Sequence, residues 1–185
     1  MKGGLLMNYL LRGISECIIA IPFALIVFGI YYICTKFILK KKIVLTSLDT
    51  LCKALWIIML FTILSITGIL ENVINKNFRD IHSIISITEY IDFYVFRDGL
   101  TLATILNLIL FIPFGILTIM IFKKFSSSIL IGLFFSIIIE FVQVFIGRFV
   151  QLEDIFMNTL GCVIGCFLGF IILKLKEKGY ILTEL

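Results

Sequence analysis

Six residues of this chain are best placed to do chemistry: Asn107, Glu140, Gln143, Arg148, Asp154 and Asn158. Two carboxylates and a guanidinium can hold an ion or pass a proton, and three amides can each donate and accept hydrogen bonds. Most of the six fall inside apolar stretches long enough to cross a bilayer. Ionisable and amide groups are costly there, so each needs a partner or a task. Spacing sorts them into pairs. Glu140 and Gln143 are three apart and Asp154 and Asn158 four apart, so each pair shares one helix face. Arg148 stands between the pairs, beside Gly147. It can grip a carboxylate or phosphate through two parallel hydrogen bonds. Glu140 is a candidate general acid or base, with Asp154 as the second carboxylate. The plain structural alternative is that Glu140 and Arg148 neutralise each other, Asp154 favours a helix start, and the amides tie helices together. A buried glutamate facing polar partners on several helices exceeds what packing needs, because apolar contacts desolvate at lower cost.

The elements that position these groups must be membrane helices. Of the residues, 61% are hydrophobic and only 15% charged, too little polar surface for a soluble domain of this length. Five segments approach the ~20 residues a crossing needs: about 17–39, 54–70, 100–122, 127–146 and 155–173. The expected fold is all-α, a polytopic membrane helix bundle. The first apolar run is too long for the hydrophobic region of a signal peptide, and reads as a retained helix. Three regions emerge: 1–99, with two spans and an external segment; 100–173, a three-helix core; and the tail 174–185.

Lysines set the expected orientation. Lys36, Lys40, Lys41, Lys42 and Lys53 crowd the first connection, Lys123 and Lys124 form the third, and Lys174, Lys176 and Lys178 follow the last span. By the positive-inside rule these regions are cytoplasmic, which places the amino terminus outside and the carboxyl terminus inside. The polar residues then gather in the outer half of the membrane. The external stretch 71–98 carries Phe78, Ile81, Ile84, Ile85, Ile87, Thr88, Ile91 and Val95 at helical spacing. It reads as a helix lying at the outer interface, the alternative being a loop with strand-like pieces.

Gly161, Gly165 and Gly169 repeat every four residues and form a strip that lets another helix approach closely. Pro113 removes a backbone donor from the third span and can kink it below Asn107. No cofactor or metal is implied. His82 stands alone, and Cys17, Cys34, Cys52, Cys162 and Cys166 show no CxxC spacing and read as small buried hydrophobes. Nothing speaks for nucleic acid.

The ordered set Asn107-Leu-Ile-Leu-Phe-Ile-Pro113-Phe-Gly115, Glu140-Phe-Val-Gln143, Gly147-Arg148 and Asp154-Ile-Phe-Met-Asn158-Thr-Leu-Gly161-Cys-Val-Ile-Gly165 resembles the VanZ-like family over roughly residues 100–173. Gln151 stands where the family's usual form is acidic. The resemblance implies a small multi-pass protein of the bacterial cell membrane. The family's named member is associated with low-level resistance to teicoplanin, a glycopeptide that binds cell-wall precursors outside the membrane. Three functions follow as expectations. The first is binding of a membrane lipid, a lipid-linked cell-wall precursor or a glycopeptide-related ligand in an outward-facing pocket, with lowered glycopeptide susceptibility. The second is a membrane-embedded enzyme acting on such a precursor through Glu140. The third is a lipid transporter or flippase. A homodimer, through the glycine strip, is compatible with all three.

Overall fold

The computed structural model describes residues 2–38, 48–78, 91–92, 94–96 and 99–177. They form α1 (Lys2–Ile33), a π-helical turn (Cys34–Ile38), α2 (Leu48–Ile66), α3 (Ile69–Ile74), β1 (Ile91–Asp92), α4 (Leu102–Phe122), α5 (Phe125–Phe145), β2 (Val150–Gln151) and α6 (Leu152–Glu177). Among the described residues five helices are long and apolar enough to cross a membrane. The protein is therefore an all-α, multi-pass membrane protein. Two compact units divide it, Met1–Glu71 and Asn72–Leu185.

In the first unit α1 and α2 form an antiparallel pair. The small side chains of Ala20 and Ala24 are buried on α1, opposite Ile63 on α2, and the rings of Phe23 and Phe61 stack 6.0 Å apart. Helix α1 begins well before the expected span and runs through Pro22. Helix α2 starts and stops earlier than expected. The chain turns at Thr67–Gly68, where Gly68 donates to the Ser65 carbonyl at 2.9 Å, so Glu71 falls in the short helix α3 instead.

The second unit packs α4, α5 and α6. The seam between α4 and α6 is the closest. A Cβ on Gly161 would strike the carbonyl oxygen of Leu108, one on Gly165 that of Ile112, and one on Gly169 the side chain of Ile119. Gly115 on α4 answers from the other side, with no room for a side chain against the Cys162 backbone. The glycine strip is thus filled by α4 of the same chain. Gly132 on α5 admits the Cys162 side chain in the same way. Phe111, Phe114 and Phe135 fill the space between α4 and α5, with the rings of Phe114 and Phe135 stacked 5.3 Å apart. Cys162 and Cys166 are fully buried, as small hydrophobes would be. Helix α4 continues through Pro113, whose side is exposed.

The connections are short and specific. Lys123 adopts a left-handed conformation and donates to the Ile119 carbonyl at 2.8 Å, closing α4 one residue before Lys124 leads into α5. At the other end of α5, Gly147 (φ 85) donates to Val144 at 3.1 Å and Arg148 to Gln143 at 2.9 Å. This is a Schellman closure, in which a glycine in the left-handed region lets two backbone N–H groups satisfy the last carbonyls of the helix.

The stretch 71–98 departs from the expected helix at its end. Residues 79–90 lie outside the described residues. Ile91 and Asp92 pair in parallel with Val150 and Gln151, Tyr94 donates its N–H to the Asp92 carboxylate at 3.0 Å, and Phe96 has a positive φ of 59. None of this is helical. The pairing satisfies main-chain groups that a loop at the membrane end of a bundle would otherwise leave bare.

Candidate functional site

The first turns of α4 and α6 and the last turns of α5 meet at one end of the second unit. Lys123, Lys124, Lys174 and Lys176 lie at the opposite end. Asn107 is five residues into α4, Glu140 five from the end of α5 and Asn158 six into α6, about 8–9 Å along each axis. The three side chains therefore occupy nearly one depth.

Glu140 is the most enclosed charge, at 2% exposure. Its Oε2 accepts the backbone N–H of Gln151 at 3.0 Å. The donor is main chain, so the amide side chain at this family-variable position is not what Glu140 uses. Asp154, half-buried in the first turn of α6, accepts from the Asn107 amide at 2.7 Å through Oδ1. Its place in that turn suits the helix dipole. Arg148 is exposed and interacts electrostatically with both Glu140 and Asp154, while the two carboxylates also interact with each other. The Schellman closure explains this placement, since it turns the backbone of Arg148 back against Gln143. Gln143, at 4% exposure, is one turn from Glu140 on the same helix face.

One turn deeper, Asn158 donates through Nδ2 to the Ser136 hydroxyl at 3.0 Å. Asn158 is 4% exposed, and its Oδ1 has no hydrogen-bond partner. Four of the predicted residues, Asn107, Asp154, Glu140 and Arg148, are thus linked by a direct bond or by charge, while Gln143 shares the face of Glu140 and Asn158 bonds Ser136. Gly115, Gly161, Gly165 and Gly169 stand apart from this cluster and serve the packing below it, and Pro113 faces outward from the bundle.

A sequence model of the VanZ/LLP1 family matches residues 50–174. The chain belongs to the VanZ/LLP1 family. The match takes in α2 as well as the three-helix unit, so the family's sequence extends well beyond the 100–173 stretch that carries the motif resemblance. No curated protein and no solved structure matches the chain.

Three residues of this VanZ-family site escaped sequence reasoning. Ser136 partners Asn158. Glu153 accepts from the Thr104 hydroxyl at 2.6 Å through Oε1 and from the Phe96 N–H at 3.0 Å through Oε2. Thr104 in turn takes the proton of the Thr101 hydroxyl at 2.7 Å. Glu153 thereby fastens residues 94–96 to the mouth of the site, helped by the edge-on contact of Phe96 with Phe156. The signal was available for two of them. Ser136 lies four residues before Glu140 and Thr104 three before Asn107, so both share a face with a residue already singled out.

Proposed function

We propose that this VanZ-family protein binds a component of the bacterial cell envelope in the polar recess formed by α4, α5 and α6. The recess faces outward, because lysines mark the other end of the same helices, which puts the amino terminus outside and the carboxyl terminus in the cytoplasm. Arg148 takes an anionic group of the ligand, a phosphate or a carboxylate, in two-point fashion. Asn107, Asp154, Glu140, Gln143 and Asn158 shape and line the recess behind it. By occupying or altering such a component the protein lowers susceptibility to glycopeptides such as teicoplanin.

The observation that carries this reading is the convergence at one end of membrane-spanning helices of Glu140, bonded to the Gln151 N–H, and Asp154, bonded to Asn107, with Arg148 in the turn between them. Charges held there are functional by default, since apolar residues would pack at lower cost. The test is expression in a teicoplanin-sensitive Gram-positive host. The wild type raises the inhibitory concentration, and Glu140→Gln and Arg148→Ala abolish the rise. An unaltered inhibitory concentration with well-expressed wild type counts against the reading.

A second reading draws on the mutual interaction of Glu140 and Asp154. Two neighbouring carboxylates can divide acid and base roles on a lipid-linked precursor. Purified protein that releases no product from such precursors, across substrates and pH, weighs against it.

A further inference from the structure

We infer that the inner layer of the recess receives the primary ammonium of a phospholipid headgroup, while the phosphate of that lipid sits at Arg148. The inference rests on the ligand-binding reading above and supplies the chemistry of the ligand. It starts from a buried acceptor. Asn158 Oδ1 lies one turn beneath Asp154 and near the depth of Glu140, at a residue 4% exposed, and nothing donates to it. A buried carbonyl without a donor costs the desolvation of that oxygen, so a site that keeps one is arranged to receive a donor.

The surroundings say what kind of donor. Carboxyl groups outnumber the guanidinium in the cluster. Ser136 already accepts from Asn158 Nδ2. Asp154 and Glu140 each retain acceptor capacity beyond their single bonds to Asn107 and to the Gln151 N–H. An acceptor-rich recess suits an ammonium, which offers three donors. A hydroxyl would supply one donor to the same acceptors. The exposed guanidinium at the rim adds an anion site on the same ligand, so the fitting group is zwitterionic, with anion outermost and ammonium innermost.

The setting favours a lipid. Close in sequence to the site residues, Phe141, Phe149 and Phe156 are all exposed and offer apolar surface. Acyl chains can lie along these rings while the headgroup turns inward.

The test is retention of lipid by the purified full chain, read by native mass spectrometry. Phosphatidylethanolamine is compared with phosphatidylcholine and phosphatidylglycerol of identical acyl chains. The choline lipid keeps phosphate and positive charge but has no N–H, and the glycerol lipid has no nitrogen. The wild type retains the ethanolamine lipid about tenfold over the choline lipid, the ratio one charge-assisted hydrogen bond provides. Asn158→Leu brings that ratio to unity. Asn158→Asp, which keeps an acceptor of the same shape, preserves the preference and controls for misfolding. Arg148→Ala weakens retention of all three lipids together. Equal retention of the ethanolamine and choline lipids by wild type overturns the inference, and continued dependence on Arg148 would then leave the broader reading of an anion-binding recess standing. Retention of none of the three also overturns the inference, and the susceptibility assay judges the broader reading on its own.

Discussion

Helices α4 and α6 touch in two different ways along a single seam. Near Leu108, Ile112 and Ile116 the contact is backbone against backbone, with glycines of α6 laid on carbonyls of α4. Near Asn107 and Thr104 it is side chain against side chain, through Asp154 and Glu153. The first kind has no directional chemistry and depends on the absence of atoms. The second depends on particular atoms being present. In lipid there is little hydrophobic force to draw helices together, so close packing must hold them. The glycine half does that work, and leaves the polar half free to be something other than glue.

The glycine half should break hardest. Gly165→Leu places a side chain on the Ile112 carbonyl, and neither backbone can yield. Loss of about 3 kcal/mol or more is expected, read as failure to purify a monodisperse species or as a large shift in denaturant-induced unfolding. Gly169→Ala should be milder, because its nearest obstacle is a methyl of Ile119 rather than main chain.

Next comes Gln151→Pro, which deletes the N–H that Glu140 accepts. A cost of about 1–3 kcal/mol is expected from the buried carboxylate left without its donor. The contrast with Gln151→Glu sharpens the point. That change restores the acidic family residue yet should alter stability by no more than about 0.5 kcal/mol, since the bond belongs to the backbone.

In the polar half, a double-mutant cycle on Asn107→Ala and Asp154→Ala should give a coupling of only about 0.5–2 kcal/mol, the range for interhelical hydrogen bonds in membranes. A coupling as large as the effect of Gly165→Leu would erase the distinction between the halves. The smallest effect is local. Glu153→Gln weakens the hold on the Phe96 N–H and the Thr104 hydroxyl. It should raise amide exchange at 94–96 with little change in global unfolding. Single cysteines at 107, 140, 148 and 158, in a chain stripped of its own cysteines, should react with an impermeant reagent added outside, Arg148→Cys fastest. Labelling only from the cytoplasmic side would invert the assigned orientation.

The same division governs what could be read from the sequence. Span number and type were legible because an apolar run near 20 residues has few other fates. Helix ends were less so. The apolar run does not mark where α1 begins, and a turn at Thr67–Gly68 ends α2 before the charge that seemed to end it. The glycine strip announced close packing but not its partner, because spacing gives a face and not the helix that meets it. Only the carbonyls of α4 resolve that. Within the candidate site the charged and amide residues stood out by their cost in lipid. Ser136 and Thr104 did not, since a hydroxyl inside a membrane helix usually bonds its own backbone, as Thr118 and Ser128 do here. The strand-like end at Ile91–Asp92 was hidden for another reason. Its pairing with Val150–Gln151 joins residues far apart in the chain, and helical spacing of apolar side chains says nothing of such a link.

One consequence of the carbonyl-on-glycine seam concerns motion. Side chains that interlock can trade rotamers and let two rods rock; bare main chain has no such gearing. The α4–α6 pair therefore behaves as a single rigid rail that either holds or comes apart. Any breathing at this end of the unit must be delivered by α5, or by the backbone at Phe96 that Glu153 pins down.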